Sequence, residues 1–325
     1  MAVDITKPID ITSVNNTAGQ KQPKISRLMM ETIKEILKHF SPEYNVQSTR
    51  DLLTFKEGNI MQPYDGQLTT AKDLGVIDKR TLTVNVGMLY VKDEIERYRT
   101  TYLVTLEELG LKEKQLPFAQ WYLETIAKVG LQDLHALPWQ GVKGAGTTAL
   151  DITNGFLKII ADEITATNIT VALGNLYELT GAAVDYTNAT IGDELKGQFA
   201  LLPALTQKKG VIAHIPYRYK QMYKEWFVSE YPNVTDGDVP TDYLDGTDKK
   251  CKINWATEIG TSKRVTMAPK SNLVYGVDKM NKEFGKITVF NPGNNPFLVA
   301  AVNKVVLGFQ IRTLDKREFN VNNLA

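Results

Sequence analysis

Few residues in this chain are placed to do chemistry. Gly141-Val142-Lys143-Gly144-Ala145-Gly146-Thr147-Thr148 has the glycine spacing of a phosphate-cradling loop, and a hydroxyl stands at Thr148. Such a loop needs a lysine that reaches the β- and γ-phosphates and a strand in front of it. Here Thr147 occupies the lysine position and a helical pattern precedes, so a flexible connector is the expected reading. Asp236, Asp238, Asp242, Asp245 and Asp248 suggest calcium ligation within the long loop 231–250. The helix-loop-helix calcium motif wants an acid or amide and then glycine at its fifth and sixth positions. Pro240 and Thr241 stand there and no glutamate closes the loop, so a solvated surface loop is expected.

His214 lies mid-strand between Ala213 and Ile215, where a satisfied, partly buried imidazole is the default. The single cysteine, Cys251, is flanked by Lys249, Lys250 and Lys252, which would lower a thiol pKa. Nothing nearby supplies a base, and an incidental surface thiol is expected. His39 and His135 are the other histidines, and neither a Gly-x-Ser-x-Gly elbow nor a His-Glu-x-x-His pair occurs. The sequence therefore assigns no catalytic, cofactor-binding or metal-binding residue, and an enzyme is not expected.

The elements around these residues read as α+β. The 325 residues carry 38 Lys and Arg against 37 Asp and Glu, a net charge of +1, so no dedicated nucleic-acid clamp is present. With 43% hydrophobic residues the chain can build a core, and one cysteine rules out an intrachain disulfide framework. The start lacks the apolar core of a signal peptide, and Phe297 to Phe309 is too short and too interrupted for a membrane span. A soluble protein made in a reducing compartment is expected.

Residues 1–24 form a polar arm with little apolar periodicity. Ile25 to Phe40 repeats apolar residues at helical spacing and stops at Ser41-Pro42. From Thr54 to Thr105, turn signals and the alternation Thr81-Leu82-Thr83-Val84-Asn85-Val86 predict a long charged β-excursion continuing through Lys92, Arg97 and Arg99. Pro117 to Ala136 is the longest expected helix, although Gly130 weakens it by about 1 kcal/mol. A shorter helix follows Asn154, and helices over Thr190 to Leu202 and Tyr217 to Glu230 flank a strand at Val211 to Ile215. Strands are expected at Arg264 to Ala268, Leu273 to Gly276, Ile287 to Phe290 and Val305 to Arg312.

This order of elements resembles the major capsid proteins of tailed phages, the Hong Kong 97 fold. The turn Trp139-Gln140-Gly141 after the long helix, then Gly155-Phe156-Leu157, fits that pattern, and Ala268-Pro269-Lys270-Ser271-Asn272-Leu273-Val274-Tyr275-Gly276 is similar to capsid proteins of phages of Bacteroidetes-type hosts. The resemblance implies an N-terminal arm and first helix (1–52), an extended loop (53–112), a peripheral domain with a spine helix (113–167), an inserted axial domain (168–280) and C-terminal peripheral strands (281–325). It implies a structural protein whose copies form the pentamers and hexamers of an icosahedral shell around double-stranded DNA. The implied location is the virion, assembled in the bacterial cytoplasm without a membrane or a cofactor. A portal and decoration proteins are implied partners, and so is a separate scaffolding protein, since the long charged N-terminal extension that serves as a built-in scaffold in one variant of the family is not seen. An encapsulin-type compartment and a soluble enzyme or binding module are the rival readings. Particle size separates the latter, and packaged DNA the former.

Overall fold

The computed structural model describes residues 34–58, 61, 72–112, 116–235, 237, 239–278, 287–292 and 298–324. The polar arm, most of the first expected helix, the turn at Tyr64 to Gly66, Asp236 and Asp238 lie outside the described residues. In chain order the elements are β1 (Ser41–Tyr44), β2 (Thr49–Glu57), β3 (Gly75–Thr83), β4 (Asn85–Glu94), α1 (Arg99–Glu108), α2 (Phe118–Asp133), α3 (Leu137–Gln140), α4 (Phe156–Thr165), β5 (Leu176–Tyr177), α5 (Ile191–Ala200), α6 (Ala204–Lys209), β6 (Val211–Pro216), α7 (Tyr219–Glu230), β7 (Cys251–Ala256), β8 (Thr266–Ala268), β9 (Leu273–Val277), β10 (Thr288–Phe290), β11 (Leu298–Ile311) and β12 (Asn320–Asn322). The mixture is α+β, and the chain divides into two units, each discontinuous in sequence.

One unit comprises Met1–Lys38, Asn85–His135 and Asp278–Leu307. Its framework is an antiparallel pairing of β4 with β11, from Asn85↔Leu307 to Glu94↔Leu298, while β10 pairs with β11 over Thr288↔Val302 to Phe290↔Ala300. Asn303 and Lys304, which interrupt the apolar run, do not break β11; it continues for 14 residues. At 16 residues, α2 is the longest helix among the described residues, and Pro117 sits one position before its first turn. Of the face that the helical spacing predicts, Phe118, Trp121, Tyr122, Ile126 and Leu134 are buried, whereas Val129 is 53% exposed. Gly130 has a packing role: a Cβ there would lie 1.8 Å from Leu89 Cδ1, so the bare backbone is what admits the side chain from β4. The β-excursion expected to run to Thr105 ends at Glu94. Residues 95–98 form a 3-10 turn and 99–108 the helix α1. The reason is a stripe hidden among charges. Tyr102 and Leu106 are buried one turn apart, and Tyr102 packs edge-on to Phe118 at 5.2 Å and against Trp121 at 5.6 Å.

The second unit comprises His39–Val84, Ala136–Val277 and Gly308–Ala325. Within it, β2 and β3 form an antiparallel hairpin registered from Thr49↔Thr83 to Glu57↔Gly75, and β1 pairs parallel with β9. The strand expected over Thr81 to Val86 is split: Val84 leaves the ladder, its N–H bonded to Ser48 O at 2.9 Å. Leu82 and Val84 are buried here, whereas Val86 on β4 is 65% exposed. A separate five-stranded sheet has the order β5-β12-β8-β6-β7. One core gathers Leu195, Phe199, Val211, Ala213, Ile215, Tyr219, Tyr223, Trp226, Val265 and Met267, from α5, α7 and this sheet. The sequence reading marked no strand after Arg312, yet β12 lies inside this sheet, antiparallel to β8 and parallel to β5. Three residues are too short for a periodicity signal; the sheet supplies it.

Candidate functional site

The glycine loop is filled by its own chain. Val142 N–H donates to Leu150 O, Lys143 N–H to Asn154 Oδ1 and Gly144 N–H to Asp151 O, at 2.9, 2.8 and 3.2 Å. Both the amide and the hydroxyl of Thr148 donate to Asp151 Oδ2, at 3.0 and 2.5 Å, which holds this carboxyl below its ordinary pKa. A Cβ at Gly146 would strike Asp151 at 2.3 Å. A carboxylate thus stands inside the turn, where it would repel a phosphate.

Of the acidic loop, Asp245 is engaged by Lys196 Nζ at 2.7 Å and by the Tyr231 hydroxyl at 2.8 Å. Among the described residues no group of three or more His, Cys, Asp or Glu is arranged to hold a metal ion.

Two expectations need correction. His214 is fully buried rather than partly, and its Nε2 has no hydrogen-bond partner. Cys251 is no surface thiol: the first residue of β7 is 0% exposed in the core cluster, because its flanking lysines alternate to the other face and to the turn. Burial pushes the thiol up to about 12. At pH 8 only about one thiol in ten thousand is then ionised. Labelling of the native protein by a disulfide reagent is accordingly expected to be at least 100-fold slower than in urea. Labelling at the unfolded rate would contradict the burial.

The feature with the form of a functional site is the β2–β3 hairpin. Its root is locked into its own unit. Arg80 on β3 donates from Nε to Ile311 O at 2.8 Å, and from Nη2 to Glu163 Oε1 at 2.5 Å and Gln310 Oε1 at 3.1 Å. Gln310 returns a bond from Nε2 to Thr81 O at 2.9 Å. On the other strand, Arg50 and Arg312 both reach Glu43, at 3.3 and 2.7 Å. Leu52 and Leu82 are 4% and 0% exposed, and Gly276 faces Leu82 and Val84 without a side chain of its own.

Away from the root the hairpin changes character. Register places Phe55 opposite Ile77 and Leu53 opposite Lys79 on one face. Leu53, Phe55, Val76 and Ile77 are 61%, 47%, 68% and 64% exposed. Ladders of opposite charge hold the strands together beside them: Lys79–Asp51 at 2.7 Å and Lys56–Asp78 at 2.9 Å. Lys79 and Thr81 hydrogen-bond Asp51 and lower its pKa. The other unit carries a similar row, Val86, Met88 and Tyr90, 65%, 64% and 50% exposed on β4. Chemically such surfaces catalyse nothing. Exposed apolar clusters of this kind mark interaction sites. Sequence reasoning missed Arg80 and Glu163 altogether, because residues 83 positions apart carry no local signal. It also passed over Leu53, Phe55, Val76 and Ile77, although their apolar character beside the turn signals is local.

No protein-family model matches the chain, and no curated protein sequence matches it. Solved structures do. A chain of the satellite phage P4 procapsid that includes the size determination (Sid) protein superposes with a TM-score of 0.58 at 12% identity, covering 99% of this chain and 92% of that one. The capsid of the empty GTA particle gives 0.52 at 14% identity, covering 88% and 94%. Gordonia phage Cozz gives 0.50 at 14% identity, covering 90% and 86%. At such identities the likeness is one of fold, and it spans nearly the whole chain: this is the fold of phage capsid proteins. Among the described residues no helix is long and apolar enough to cross a membrane.

Proposed function

We propose that this chain is a major capsid protein of Hong Kong 97 type, a structural protein whose copies close into an icosahedral shell of pentamers and hexamers around double-stranded DNA. The observation that carries the reading is a hairpin firmly rooted in its own unit while its apolar face is left exposed, in a chain with the phage-capsid fold. The hairpin is assigned as the extended loop, α2 as the spine helix, and the segment 168–280, which carries β5, β6, β7 and β8, as the axial domain; β12, from the 281–325 stretch expected as peripheral strands, pairs with β5 and β8. The apolar faces of the hairpin and of β4 then belong to contacts between subunits. A separate scaffolding protein, a portal and decoration proteins are the further partners of this reading, and DNA is touched without base recognition. Near-neutral charge suits it, since many copies pack side by side without strong repulsion.

Negative-stain microscopy of the expressed protein, with and without co-expressed phage scaffold, tests the proposal. Shells or free pentamers and hexamers are expected; a small soluble oligomer alone would overturn it. Nuclease-resistant DNA in the particles separates a virion shell from an enzyme compartment. The double variant Phe55→Glu, Ile77→Glu is expected to keep its far-UV circular dichroism and to lose at least tenfold in closed particles, because a charge replaces the face that needs a partner. Deleting residues 1–20 is expected to give the same pattern, folded subunits with few closed shells.

A further inference from the structure

His214 sits in the middle of β6 with no solvent exposure. Phe40 stacks on its ring at 5.5 Å with 9° between the planes, Trp139 packs at 5.1 Å and His39 meets it edge-on at 6.2 Å. Phe40 is in turn gripped by Phe156 at 5.0 Å and Trp139 at 6.0 Å. The chain then enters β1 at once. Among the described residues this strand pairs only with β9, and the segment is held by that short ladder, by the ion pairs of Glu43 with Arg50 and Arg312, and by its aromatic seal.

The imidazole is served by one hydrogen bond, from Asn254 Nδ2 to Nδ1 at 3.1 Å, and Nε2 has none. An imidazolium carries a donor on both nitrogens. If the Asn254 amide nitrogen faces Nδ1, the added proton meets another donor. If the amide is turned, the proton goes to Nε2, which has no acceptor. Either way the charged ring is unsatisfied in a dry site.

The groups around it offer no relief. Trp139, Phe40, Asn254 and the cross-strand neighbour Thr266 are neutral. His39 adds repulsion when charged. Glu258, on the turn Thr257–Ile259 that packs against β6, is the nearby acid on that side and is absent from the influences on the ring. Burial first, and then the charge of His39, push the His214 pKa down to about 3.

The geometry points to His214 as an acid-sensitive lock on the segment His39–Tyr44. The closed form excludes the proton, while the opened ring takes it up at its ordinary value near 6.5. The lock is therefore fully in force above pH 6.5 and weakens about tenfold per pH unit below it, until the closed form itself titrates near 3. Asp51, Asp151, Asp185 and Asp245 all titrate below their ordinary 3.8, so they act in more acid solution.

Hydrogen exchange on the full-length protein tests this independently of the capsid reading. Amide rates in residues 41–46 are measured at pH 7.5 and 4.5 and divided by the intrinsic rate at each pH. Opening is expected to rise about 100-fold in that segment alone, and to stay level in His214→Phe, which keeps the stack and removes the proton site. Phe40→Leu serves where that variant fails to fold. It should open more at pH 7.5 and retain the slope of about tenfold per pH unit. Unchanged exchange at pH 4.5, an equal rise in His214→Phe, a Phe40→Leu segment without pH dependence, or a loss of protection shared by the whole unit would each overturn the proposal.

Discussion

Arg80→Ala is expected to lower the stability of the hairpin-bearing unit by about 3 kcal/mol, the cost of breaking a largely buried ion pair by removing one partner. The arginine and Glu163 side chains are only 13% and 18% exposed, so water does not replace the lost bonds fully. The substitution also strands Ile311 O and Gln310, and Gln310 is the group that holds Thr81. Urea unfolding reads the loss as a lower midpoint with an unchanged slope. Arg80→Lys restores the charge but not the fork that reaches three acceptors, so it should recover less than half of the deficit. If the alanine variant unfolds with the wild-type midpoint, the root is held by its leucines alone. Because assembly in the proposed function needs a rooted loop, the same variant should form fewer closed shells even where the subunit stays folded.

The second large effect is steric. A Cβ at Gly308 would lie 2.1 Å from Thr83 O and 2.9 Å from both Thr83 C and Val84 Cα. All three are backbone atoms, so no rotamer change relieves the overlap, and the strand passing from β3 toward β4 must move. Gly308→Ala is expected to cost about 3 kcal/mol, the upper end for overpacking by one methyl-sized group. The measurement is again the urea midpoint, supported by exchange of the Thr83 and Val84 amides. A neutral substitution would mean that the chain at Thr83 has room to yield.

Some of this molecule was legible in its residues and some was not. The α2 helix announced itself through Phe118, Trp121, Tyr122 and Ile126, because an amphipathic stripe over four turns is a strong local signal. The helices at Ile191 and Tyr219 were legible for the same reason, and the strands at Val211, Leu273 and Thr288 as short apolar runs bounded by turn residues. Helix α1 was not: Arg97, Arg99 and Glu107 masked a stripe of only Tyr102 and Leu106. The string Ala268 to Gly276, on which the resemblance leaned, runs from the last residue of β8 through a turn with Lys270 and Ser271 exposed into the buried strand β9.

By itself the sequence determined the α+β class and the positions of the long amphipathic elements. Both follow from residues near one another in the chain, whose hydrophobic period is a local property. The tertiary structure alone decided that Cys251 and His214 are sealed in, that Asp151 fills the glycine loop, and that Arg80 meets Glu163. It also decided that β12 joins a sheet built mostly from residues far upstream, and that Leu53, Phe55 and Ile77 are left outside. Those outcomes depend on which distant segments are brought together. Burial belongs to the assembled fold, and a leucine in a strand reads the same whether its face meets a core or awaits a neighbour.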